Sequence, residues 1–144
     1  MLRLTIPTLV LSLTLAAQPA FAQARTPVIP EGQRASATLT PGIRVGNMIY
    51  ASGQLGSASD TTIGGQTTSA LEKTKKVFEA AGTKIENTVK CTVFLTDVKD
   101  FAGMNAAYSA FFKGIAPPAR STVVVAALVV ASGKVEIECF AAIP

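Results

Sequence analysis

A chain of 144 residues, 49% of them hydrophobic, is long enough for one domain with a real core. Thirteen basic against nine acidic side chains leave a formal charge of only +4. Lys73, Lys75 and Lys76, the densest basic group, read as the solvated face of a helix, so no nucleic-acid partner is expected. Histidine is absent, which removes the commonest general base and the commonest metal ligand, and two cysteines do not make a structural zinc site.

Met1-Leu2-Arg3 gives a short positive start, Leu4 to Ala17 is uncharged and Leu-rich, and Pro19 precedes Ala20-Phe21-Ala22. This pattern predicts a signal peptide over residues 1–22, with cleavage after Ala22 or, failing that, after Ala24. The apolar run of about 14 residues falls short of the ~20 that span a bilayer, so an uncleaved anchor is the weaker reading. We expect an exported protein, in the bacterial periplasm, with no membrane attachment after cleavage.

Residues 23–36 are polar, contain Pro27, Pro30 and Gly32, show no period, and are read as an extended or mobile lead-in to a domain over 37–144. A first short strand is expected over 37–45, with Pro41-Gly42 as a turn or bulge, and a second over Asn47–Ala51. Residues 55–66, rich in Gly, Ser, Thr and Asp, read as a loop. Leu71, Thr74, Val77, Phe78 and Ala81 share one face of a helix over 67–81, which Gly82 stops. Thr88 to Thr96 is β-branched and reads as a central strand.

A second helix is expected over 100–113, with Asp100 as N-cap, Gly114 as its end, and Phe101, Met104, Tyr108, Phe111 and Phe112 inward. Strands over 120–128 and 134–142, joined by a turn around Ser132-Gly133 and expected to be neighbours in the sheet, complete an order ββαβαββ. This is an α+β sandwich with two helices on one face of a mixed sheet. In the last strand Val135, Ile137, Cys139 and Ala141 point one way, toward the helices, while Glu136, Glu138 and Phe140 point the other. A face mixing apolar side chains with paired carboxylates is suited to association with copies of the same chain, with polar clefts between them.

Several motifs carry a resemblance. Pro118-Ala119-Arg120-Ser121 is followed by an apolar strand, a short turn and Val135-Glu136-Ile137. Upstream stand Gly46-Asn47-Met48-Ile49 with Ser52-Gly53-Gln54, then Lys90 to Asp97, and Asp100-Phe101 with Asn105, Tyr108 and Phe111-Phe112. In this order they resemble the Rid/YjgF family over nearly all of residues 38–143. The resemblance implies a chorismate-mutase-like fold and a homotrimer whose sheets form a central barrel, with active sites between subunits. It implies hydrolysis of enamines and imines derived from amino acids to 2-oxo acids and ammonia, with no cofactor and no metal.

Carried over residue by residue, the resemblance makes Arg120 the group that binds a substrate carboxylate. A planar guanidinium grips a carboxylate through two parallel hydrogen bonds, as lysine cannot. The competing role for Arg120 is a structural salt bridge. Glu136 falls on the family's acidic residue, where it orients or deprotonates water or protonates the leaving nitrogen; its competing role is an ion pair between subunits. Glu138 reads as structural. Asn105 matches a family asparagine that holds substrate or a loop, or else anchors its helix, and backbone near Gly53 and Thr122 completes the pocket. Two positions depart from the family pattern: Thr122 stands where a cysteine is usual, and Leu39 where a tyrosine often lines the pocket.

Cys91 and Cys139 lie on central strands and both can face the helices. We read them as buried free thiols, a bridge being open if the two strands are neighbours. The alternative to an enamine/imine deaminase is a protein that binds a small carboxylate without turning it over. RNA cleavage is disfavoured by the missing histidine and the lack of a basic stripe or aromatic platform.

Overall fold

The structure, a computed structural model, describes residues 24–144; the leader expected over 1–22 lies outside the described residues. The chain folds as β1 (Arg25–Val28), β2 (Gly42–Val45), β3 (Met48–Ala51), β4 (Gln54–Leu55), α1 (Ile63–Ala80), β5 (Thr88–Leu95), α2 (Phe101–Phe111), β6 (Ala119–Val124) and β7 (Val135–Ala142). All strands form one sheet in the order β1-β2-β3-β7-β5-β6, with β4 also paired to β7. Every pair is antiparallel except β5 with β6.

The alternation expected of β7 holds: Val135, Ile137, Cys139 and Ala141 are fully buried, and the residues between them are half-buried. On α1 the expected stripe is also buried, with Leu71, Thr74, Val77 and Phe78 inaccessible to solvent. Burying each of the larger apolar side chains contributes roughly 1.5–3 kcal/mol, so this helix-on-sheet layer is where the fold is held. Gly82 ends α1 at φ 81, a backbone conformation that side chains with a Cβ seldom adopt.

Several expectations are corrected. The lead-in over 23–36 contains β1, which pairs antiparallel with β2; the backbone ladder extends the sheet although the segment has no hydrophobic period. The expected loop over 55–66 is shorter at both ends. Leu55 pairs with Glu136, and α1 starts at Ile63, where the Thr62 side chain caps the Gly65 amide at 3.1 Å. Gly64-Gly65 hid that first turn, yet Gly65 is needed because a Cβ there would collide with the Asp60 carboxylate. At the start of α2, Asp100 makes no capping bond. Asp97 accepts from the Lys99 amide at 2.9 Å instead, and Asp100 pairs with Lys134 at 3.4 Å. Phe101, expected inward, is exposed.

A further correction concerns topology. β6 and β7 are not neighbours, because β5 lies between them. The β5–α2–β6 segment is a crossover unit, and a crossover that places a helix between two strands lays them parallel. β7 then returns to the other flank of β5. On that flank Cys91 stands opposite Cys139, and the two form a disulfide with Cα atoms 4.1 Å apart, both residues fully buried. The free-thiol reading is therefore replaced by a cross-strand bridge, which direct facing on adjacent strands makes geometrically accessible.

The bridge spans 48 residues of sequence. Closing a loop of that size in the unfolded chain corresponds to about 4 kcal/mol in the chain-entropy picture, with typical measured values of about 2–4. The purified protein is expected to be two hydrogens lighter than the dithiol by intact mass, and reductant is expected to lower its guanidinium midpoint accordingly. An unchanged midpoint after complete reduction would remove the bridge from the stability argument.

Candidate functional site

The registers of β5, β6 and β7 decide where each candidate side chain points. Cys91 faces both Cys139 and Arg120, and Val93 faces both Ile137 and Thr122. Arg120 and Thr122 therefore share the helix-covered face with the disulfide. Phe94 faces Glu136 and Val123, and Thr92 faces Glu138, so both carboxylates belong to the open face. In one chain Arg120 and Glu136 stand on opposite faces of the sheet and on strands separated by β5. Their expected placement on adjacent strands is corrected.

On the helix side, α2 runs under the edge strand β6 and supplies every neighbour of the guanidinium. Arg120 Nη2 donates to Asn105 Oδ1 at 2.6 Å, Nη1 lies 3.9 Å from Met104 Sδ, and the guanidinium carbon sits 4.6 Å from the centre of the Tyr108 ring. Asn105 thus meets the arginine rather than a loop. Thr122 Oγ1 and the Tyr108 hydroxyl are both buried without a hydrogen-bond partner. Among the described residues the ion pairs are Lys75 with Glu72 and Lys134 with Asp100, so Arg120 has no intrachain carboxylate, and the salt-bridge role for it is not realised within the chain.

On the open side, Ser52 and Gly53 lie between β3 and β4, both of which pair with β7. A Cβ on Gly53 would fall onto the Glu136 carboxyl, 2.9 Å from its Cδ, so glycine is what allows that carboxyl to lie against the backbone. Neither Glu136 nor Glu138 forms an ion pair among the described residues. Tyr50 stacks at a tilt on Phe140 at 5.1 Å, and Tyr50 and Val123 remain exposed on this face. Beside Ser52 opens a groove of about 420 Å³ lined by Arg25, Ser36 to Thr40, Ile43 and Ser52, in which Leu39 is largely exposed. A larger groove of about 600 Å³ lies at the C-terminal end of α1, around Glu79, Thr83 and Ile85, and touches none of these groups.

The chain therefore carries two half-sites. One pairs a guanidinium without a carboxylate with two unsatisfied hydroxyls; the other pairs a carboxylate without a cation with bare backbone. The first can bind an anion and the second can handle a proton. Two contributors escaped sequence reasoning. Tyr108 was read as part of an inward stripe and of a family motif but given no role in the site; its spacing of three from Asn105, which places both on one helix face, was the available signal. Arg25 was hidden in a segment without a period.

Residues 31–143 match the family described as Endoribonuclease L-PSP. The chain is 42% identical over 107 residues to the 2-iminobutanoate/2-iminopropanoate deaminase of Escherichia coli K12, covering 69% of this chain and 83% of that one. It is 42% identical over 105 residues to the protein DfrA of Myxococcus xanthus, covering 69% and 79%. Among solved structures it resembles the YjgF gene product of E. coli, with TM-score 0.75, 37% identity and coverage of 81% and 98%. E. coli TdcF with bound serine gives TM-score 0.73, 34% identity and coverage of 81% and 98%.

Burial pushes the Tyr108 phenol up to about 12, with Arg120 pulling in the opposite direction. The protonated phenol is thus favoured by folding, and the associated stability is complete below about pH 10, the unfolded value, and is lost as pH rises toward 12. Tyr50 is the only other tyrosine. In a Tyr50→Phe protein the phenolate absorbance is expected to rise with a midpoint at about 12. A midpoint near 10, the free-phenol value, would show Tyr108 to be solvated.

Proposed function

The chain belongs to the YjgF/Rid family, and from that membership and its two half-sites we propose that it is a hydrolase of 2-imino acids of the 2-iminopropanoate and 2-iminobutanoate type. The single observation that carries the reading is a guanidinium with no intrachain carboxylate, set at a sheet edge beside unsatisfied hydroxyls. Arg120 grips the substrate carboxylate in a bidentate manner, and Thr122 and backbone near Gly53 complete the pocket. Water adds to the imine carbon as Glu136 takes its proton and passes it to the nitrogen, giving a carbinolamine; the carbinolamine hydroxyl then gives its proton through the same carboxylate to the amine, and the C–N bond breaks as the C=O bond forms. The products are a 2-oxo acid and ammonia; water is the only co-reactant.

Arg120 of one copy and Glu136 of another form the complete site in this proposal, within a homotrimer packed through the open sheet face. Two observations support it. The two groups lie on opposite faces of one chain, and the open face combines exposed Tyr50 and Val123 with carboxylates that have no intrachain cation. The leader pattern over 1–22 and the buried Cys91–Cys139 bridge support an exported, periplasmic setting, where disulfides form and persist. The relative with bound serine supports a small amino-acid-derived ligand.

The test generates 2-iminopropanoate with an amino-acid oxidase and follows its loss with and without protein. Acceleration is expected. Glu136→Gln is expected to lower kcat by about 100-fold or more, the usual scale of a positioned acid–base group. Arg120→Lys is expected to lower kcat/KM by roughly 10- to 100-fold while the particle mass stays that of a trimer. Carboxylate binding without acceleration would favour a non-catalytic binding protein, and a monomeric particle in solution would remove the shared site.

A further inference from the structure

The surroundings of Arg120 contain a choice that anion binding alone does not require. Half-buried arginines are usually seated against Asp or Glu, because a desolvated charge is costly without an opposite one. Here the two groups that hold the guanidinium are an amide oxygen and a ring face, three residues apart on α2, and neither is ionised. An aspartate in place of Asn105 would have nearly the same shape and would bond the guanidinium more strongly. The amide gives the weaker hold.

The consequence is electrostatic. A guanidinium has five N–H donors in one plane. Stacking its face on Tyr108 fixes that plane, and Asn105 engages one edge at 2.6 Å. The remaining in-plane donors have no oxygen partner among the described residues, apart from the long contact to Met104 Sδ. Burial keeps the Tyr108 phenol protonated, so the ring adds no charge. Thr122 Oγ1, two residues along the same face, is buried and unsatisfied, a further sign that this pocket is completed by something outside the chain.

We propose that Asn105 and Tyr108 are positioning residues that orient Arg120 through uncharged contacts, so that its full positive charge is kept for the carboxylate of the ligand. This rests on the carboxylate-clamp reading above and assigns the charge balance of that same site. It means that Asn105 acts through Arg120 and not on the substrate.

The experiment measures pyruvate binding to the mature protein by titration calorimetry, alongside thermal midpoints. Asn105→Asp is expected to weaken pyruvate binding by about 30-fold or more, because the new carboxylate forms an internal ion pair with the guanidinium. Asn105→Ala, which loses the hydrogen bond but keeps the charge available, is expected to cost only about 3- to 10-fold. The thermal midpoints are expected in the opposite order, with the aspartate variant at or above the alanine variant. Tyr108→Leu, which removes the ring face under the guanidinium, is expected to lose about 10-fold. A merely structural role for Asn105 predicts that the aspartate variant binds pyruvate as well as the alanine variant or better, and that result overturns the proposal. Imine hydrolysis is assayed in parallel. A wild type that binds pyruvate but turns over no imine removes the deaminase reading while the order of variants still decides this one; a wild type that binds no pyruvate overturns this inference.

Discussion

The central strand β5 sets the parity on which everything else depends. It pairs in register with β6 on one flank and β7 on the other, and side chains on a strand alternate strictly between faces. Once Cys91 turns toward the helices, Arg120 and Cys139 must turn with it, and Glu136 and Glu138 must turn away. A shift of one residue in β6 would carry the guanidinium out of the helix-covered face, and the same shift in β7 would drive Glu136 and Glu138 into the core. The burial of Val135, Ile137 and Cys139 holds β7 against such a slip.

From that parity follows a division of labour between the two faces. The helix face carries a guanidinium with a neutral seat, built from α2. The open face carries a carboxyl laid on bare backbone at Gly53. Neither group has an opposite charge paired with it among the described residues. Two substitutions relative to the family pattern fall in different halves. Thr122 puts an unsatisfied hydroxyl beside Arg120 in place of a thiol, and Leu39 exposes an aliphatic side chain in the groove next to Ser52. The first changes the hydrogen-bonding groups beside the guanidinium; the second changes the lining of that groove.

Much of this was legible in the chain itself, and the exceptions have physical reasons. The period of α1 from Leu71 to Phe78 and the alternation of β7 are strong signals because each face meets a different environment. Strand β1 carried no such signal: its ladder with β2 depends on backbone groups, which every sequence has. Gly64-Gly65 looked like loop, although Gly65 makes room in the helix for the Asp60 carboxylate. Motif spacing singled out Arg120 and Glu136, but it does not encode strand order, and a pair sixteen positions apart looked adjacent until β5 was found between them. The neighbours of Arg120 on α2 were visible as residues and invisible as partners, since contact between a helix and an edge strand follows from the crossover.

The bond between Cys91 and Cys139 has one further mechanical consequence. With β5 and β7 joined covalently at their middle as well as by their ladder, sliding of one strand past the other is blocked at the centre of the sheet. Compliance is left to the periphery: to β6, which has a neighbour on one side only, and to β1 at the far edge. In the proposed site, a ligand reaches the guanidinium by yielding of that free margin.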